Sequence, residues 1–101
     1  MPVGMLLDTP EGSQAMYEAL TTKVFGSLQP TVLPDGLIVH AAGPREEGGW
    51  RVVDIWESAE AFWRFFDAKL LPAAQELGQD PPDARPTFFA IHNTIGLDMP
   101  A

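Results

Sequence analysis

Cysteine is absent from all 101 residues. This removes disulfide scaffolds, cysteine-ligated metal clusters and thiol nucleophiles. Basic side chains are few, six against 14 acidic ones, for a formal charge of −8. A duplex-binding protein displaces phosphate counterions with lysine and arginine, and this chain cannot supply that field, so no nucleic-acid partner is expected. Long hydrophobic runs are missing too. The longest, such as Val3 to Leu7, fall far short of the roughly 20 residues a membrane span needs. No basic region leads into a signal core at the amino terminus. The expectation is therefore no membrane partner and a cytoplasmic location. What remains is a 46% apolar chain of a length that builds a single domain, 1–101, around one core.

Val3 to Asp8 reads as a buried strand. Thr9-Pro10 resembles an N-cap with proline at the first helical position. Ala15, Met16, Ala19, Leu20, Val24 and Phe25 then recur at helical spacing as far as Gly26. The stretch from Ser27 to Gly36, with Pro30 and Pro34, is a loop. Gly36 to Ala42 and Trp50 to Glu57 flank the polar, glycine-rich segment Gly43 to Gly49, the layout of an antiparallel hairpin. Ser58 caps a second helix with the stripe Phe62, Phe65, Phe66, Leu70, Ala73, Ala74 and Leu77, which Pro72 is expected to kink or break after Leu71. After a proline-rich connection, Gly78 to Pro86, the chain closes with a strand from Thr87 to Asn93. This order, βαββαβ, predicts an α+β, ferredoxin-like domain: an antiparallel sheet with both helices on one face.

A half-solvated sheet alternates apolar and polar residues. Here Leu37, Val39 and Ala41 point one way, Ile38 and Ala42 the other, and Val52 and Val53 divide in the same manner. Both faces read as apolar, and two helices cover only one. A homodimer through the free sheet face, enclosing a barrel, is the expectation.

The segment Asp54-Ile55-Trp56-Glu57-Ser58-Ala59-Glu60-Ala61-Phe62 resembles the dimeric α+β-barrel superfamily, particularly its antibiotic-biosynthesis monooxygenase-like group. Element order, hairpin and closing strand extend the resemblance over most of the chain. It implies a dimeric α+β barrel. It also implies one of several activities, including cofactor-independent oxygenation of polyketide quinols, haem degradation and lactone isomerisation, and fold alone does not choose among them. Haem-degrading members carry a tryptophan on the second helix, a histidine ligand about ten residues later and an asparagine on the first strand. Aligned on Ala61-Phe62, this chain has Phe65 and Gln75 at the first two positions and no asparagine between Val3 and Asp8. Glutamine is not a usual axial haem ligand, and no cofactor is expected.

Pairing the hairpin about its tip sets His40 near Val52 and Ala42 near Trp50, so that Ile38, His40, Trp50, Asp54 and Trp56 share a face. A histidine, a carboxylate and two indoles on an apolar sheet suit a pocket for a flat molecule. His40 would then be the general base, with Asp54 orienting it. Equally, Asp54 could be a hydrogen-bond acceptor at the hairpin or dimer seam and both tryptophans core. Phe65 and Trp56 would line a cavity between helix and sheet, and Tyr17, the only tyrosine, could offer its phenol there or stay on the helix surface. His92 on the last strand meets His40 only across a dimer interface. Two histidines without a third ligand make a poor zinc set, so no metal is expected. Catalytic candidates are thus His40, His92 and Asp54, with Trp56, Phe65, Trp50 and Tyr17 as ligand contacts. Two functions stand: a cofactor-free monooxygenase, cyclase or isomerase acting on an aromatic or polyketide-like molecule, or a non-catalytic barrel that binds a hydrophobic ligand or is structural.

Overall fold

The structure, a computed structural model, describes residues 2–79 and 85–96. Its elements are β1 (Val3–Thr9), α1 (Gln14–Phe25), β2 (Leu37–Pro44), β3 (Trp50–Trp56), α2 (Ala59–Phe65), a π turn (Phe66–Leu70), α3 (Leu71–Glu76) and β4 (Thr87–Ala90). The sheet order is β2-β3-β1-β4 and every neighbouring pair is antiparallel. This is the ferredoxin-like α+β arrangement. Among the described residues no helix is long and apolar enough to cross a membrane.

Met5, Trp56, Ala61 and Phe62 form the buried centre, with Val3, Leu7, Leu37, Val52, Phe65, Phe66 and Phe88 packed against it. Odd-numbered β1 residues and even-numbered β3 residues therefore face the helices, as the two-residue strand period requires. Trp56 meets Phe62 edge to face at 5.7 Å and Phe65 at 5.6 Å, the offset geometry that aromatic quadrupoles favour. On the outer face the ring of Phe89 lies across Gly4, where a Cβ would collide with it. There also Arg51 donates to both carboxylate oxygens of Asp8, at 2.7 and 2.9 Å. That hydrogen bond, opposed by some desolvation and reinforced by the charges of Arg51 and Arg45, holds the Asp8 carboxyl below its ordinary range.

Several boundaries differ from the sequence expectation. Thr9 is not a cap: it extends β1 opposite Trp50, and its carbonyl accepts from Gly12 N in a turn. Ser13 caps α1 instead, its hydroxyl accepting from Met16 N at 3.2 Å. The inward face of α1 is also rotated. Ala15, Met16 and Ala19 are exposed, and Thr21 is the buried residue.

The hairpin closes at Arg45 and Gly49, with Gly48 and Gly49 at positive φ as such a turn requires. This moves the register two residues from the tip-centred pairing: His40 stands opposite Asp54, Ala42 opposite Val52 and Pro44 opposite Trp50. A shift of two keeps every residue on its face. A bulge between Leu37 and Val39 then leaves Ile38 as the extra residue. Leu37, not Ile38, consequently faces inward with His40.

Pro72 does not end the second helix. It sits in the first turn of α3, and the π turn before it widens the spiral so that Leu71 N bonds to Phe66 O. A wide turn accommodates a ring that would otherwise crowd the preceding carbonyl. The last strand stops at Ala90 because β1 offers no partner beyond its start. The final ladder-like bond is Ile91 N to Pro2 O at 3.0 Å.

Candidate functional site

Three elements bring the polar groups together under the helices. His40 from β2 and Asp54 from β3 are cross-strand partners, and His40 Nδ1 lies 2.6 Å from Asp54 Oδ1. Asp54 is 4% exposed. Its second oxygen accepts from Trp56 Nε1 at 2.9 Å. An ionised carboxylate only accepts, so Nδ1 of His40 is the donor of that pair, and in the neutral imidazole the lone pair then lies on Nε2. The Tyr17 hydroxyl, brought from α1, lies 2.5 Å from that Nε2, which accepts its hydrogen in this tautomer. The result is a chain of hydrogen bonds from Tyr17 through His40 and Asp54 to Trp56, spanning surface to core.

Burial raises the Tyr17 phenol above its ordinary pKa of 10.0. The Thr21 hydroxyl one turn along α1 opposes that shift by hydrogen bonding, and the Asp54 charge adds to it. The phenol is thus a donor throughout the neutral range. Its ring runs nearly parallel to His40, with centroids 5.8 Å apart, and contacts Trp50 at 5.3 Å.

Behind this chain lies a cavity of about 160 Å³ between helices and sheet. Met5, Leu20, Val52, Trp56, Phe62 and Phe65 give it apolar walls, with His40, Asp54 and Tyr17 among its few polar ones. Outside it, an open groove of about 510 Å³ runs between α1, the segment Leu28–Leu33 and β2. Tyr17, Thr21, Phe25, Leu37, His40 and Trp50 line both spaces, so the histidine borders each of them. The inner space alone is smaller than the roughly 300 Å³ of ordinary ligand pockets, and the larger groove lies beside it.

The structure therefore gathers His40, Asp54, Trp56, Phe65, Trp50 and Tyr17 around one cavity. Phe65 stacks on Phe25 at 5.8 Å. His92 is not brought there. It lies exposed beyond the end of β4, and β4 is the edge of the sheet opposite to β2. Among the described residues no group of three potential metal ligands occurs. Two features escape the sequence reading. The bond from Tyr17 to His40 depends on how α1 is rotated. Thr21 breaks an otherwise apolar helical face, and that break is the signal that could have found it.

Fold and site together define a class: a ferredoxin-like α+β domain whose helix-side sheet face carries a buried carboxylate, a histidine and aromatic side chains around an apolar cavity. Within solved structures the chain is similar to SnoaB, a cofactor-independent oxygenase from Streptomyces nogalater. The identity is 20% over 94% of this chain and 96% of that one, with a TM-score of 0.56, and a variant of the same protein gives 0.57. It is also similar to a candidate antibiotic biosynthesis monooxygenase from Deinococcus radiodurans, 12% identical over 98% of this chain and 100% of that one, with a TM-score of 0.51. No protein-family model matches the sequence, and no curated protein matches it. At these identities the common property is the fold.

Proposed function

We propose that the protein is a cofactor-independent oxygenase acting on an aromatic, polyketide-like substrate that has an acidic C–H. The single observation that carries this reading is the Asp54–His40 pair beside an apolar cavity, in which the neutral imidazole, donating from Nδ1, has its lone pair on Nε2. The chemistry follows from that lone pair. His40 Nε2 takes the proton of a ring methylene next to a carbonyl, once the substrate displaces the Tyr17 hydroxyl. The carbanion's electrons reduce dioxygen and a carbon–oxygen bond forms. Loss of water then leaves a carbonyl, so that CH₂ plus O₂ becomes C=O plus H₂O. Asp54 fixes the imidazole tautomer and stabilises the imidazolium. The oxygenase activity of SnoaB, a protein of the same fold, supports this choice of reaction. The protein acts as a homodimer through its outer sheet face, where Val53 and Phe89 are 43% and 55% exposed.

The test is oxygen uptake with a panel of fused-ring phenolic ketones. The wild type should consume oxygen above the enzyme-free background, and His40→Gln should lower the rate by about 10²- to 10⁴-fold, the usual contribution of a general base. Equal rates in the two proteins would reject His40 as the base. Ligand binding without any oxygen uptake would leave a non-catalytic binding protein.

A further inference from the structure

Charge is distributed unevenly around the site. The chain holds six lysines and arginines, all of them among the described residues, and none lines the inner cavity or the groove. Each is placed elsewhere. Lys23 is bound to Glu76 on α3 at 2.7 Å, Arg45 to Glu47 at the hairpin tip at 2.9 Å, and Arg51 to Asp8 on the outer face of the sheet. Arg64, Lys69 and Arg85 are exposed. Carboxylates do reach the site. Asp54 borders the cavity and is 4% exposed, and its pair with a neutral imidazole carries a net negative charge. Glu18, half-buried on α1, stands in the wall of the groove, where it meets the uncharged amide of Gln14 at 3.4 Å.

We infer that the site selects an uncharged aromatic and rejects the same molecule when it bears an ionised acid, whether carboxylate, phosphate or sulfate. An anion that enters gives up its water and meets negative groups on the walls of both spaces, with no cationic side chain lining either to receive it. At an effective dielectric of about 20, repulsion from one such charge several ångströms away lowers affinity by roughly tenfold or more. Selection of this kind comes from a repulsive element and needs no contact made to the preferred ligand alone. The inference rests on the proposed function in that it concerns the substrate of the same site. When His40 takes a proton, the imidazolium and the carbanion balance one another, whereas an acid group on the substrate adds a negative charge that no lining cation offsets. A polyketide acid must therefore be esterified, amidated or decarboxylated by an earlier reaction before it can serve as substrate here.

Binding alone tests the assignment, independently of catalysis. Titration calorimetry at neutral pH with 2-naphthamide and with 2-naphthoate, aromatics of nearly the same shape that differ in charge, gives an affinity ratio for each protein. The wild type should prefer the amide by roughly tenfold or more. Glu18→Lys, which sets a cation in the groove wall, should strengthen naphthoate binding by roughly fivefold or more while changing naphthamide binding by less than about twofold. If that variant does not fold, Glu18→Gln keeps the shape and should move the ratio in the same direction. Equal wild-type affinities, a preference for naphthoate, or binding of neither would overturn the inference, and so would a ratio that the Glu18 variant leaves unmoved. Because no measurement here involves turnover, a result against His40 as base leaves this inference standing, and the reverse also holds.

Discussion

Asp54 is the residue on which the site turns, since its two oxygens serve different partners: one orients a histidine near solvent, the other receives an indole from the core. Asp54→Asn preserves the shape but supplies only one good acceptor, so either His40 or Trp56 loses its partner. The expected outcome is activity lowered by about 10²-fold or more, with the melting temperature reduced and the fold retained by circular dichroism. Activity equal to that of wild type would show that the carboxylate does not orient the base. Tyr17 offers a more direct measurement because it is the only tyrosine. Its folded-state pKa is raised, chiefly by burial. The stabilising contribution is therefore complete below the ordinary value and is lost as pH rises through the folded one. Ultraviolet titration of the phenolate should give a midpoint above 10.0 in the native protein and a return to the ordinary value in urea. A native midpoint at or below 10.0 would contradict the buried, donating phenol.

At the scale of elements, the helix beginning at Ala59 depends on Ser58, whose hydroxyl accepts from Ala61 N at 3.1 Å. That first turn also holds Ala61 and Phe62, two of the most buried of the described residues. Ser58→Ala should cost about 1 kcal/mol, read as a lower urea midpoint with an unchanged slope. A loss below a few tenths of a kcal/mol would mean that packing of Phe62 alone fixes the helix start. Ser58 was legible in the sequence because a capping hydroxyl before an apolar stripe has one local cause. The hairpin face was legible for a similar reason, since strand alternation survives a register error of two. The start of the first helix was not. Thr9-Pro10 satisfies the local rule for a cap as well as Ser13 does, and pairing of Thr9 with Trp50 on another strand decides between them. The end of the last strand, expected at Asn93 and found at Ala90, was not legible for the same physical reason. A strand needs a neighbour, and the sequence does not show where β1 runs out. The Ile38 bulge and the bond from Tyr17 to His40 belong with these, being consequences of tertiary packing.

The whole molecule presents two unlike sheet faces. Helices cover one. The other displays Val53 and Phe89, with Leu6 and Ile55 on the same side by register. A second copy laid face to face would bury this surface, and light scattering at micromolar concentration should then give about twice the chain mass of 11.0 kDa. Val53→Lys, which sets a charge in the middle of that face, should return the mass to that of one chain. A wild-type mass near 11 kDa would refute the dimer.

The bulge at Ile38 bears on the edge of the sheet as well as on the site. An edge strand is a template for another strand, and a long flat one invites chains to add without limit. Here the β2 edge is broken by the extra residue at its start and carries Pro44 at its end, while the opposite edge, β4, has only four residues. Neither rim offers a continuous ladder to extend. Edge-to-edge addition of further copies is thereby disfavoured. The irregularity that turns Leu37 toward the cavity therefore also interrupts the rim that ribbon growth would use.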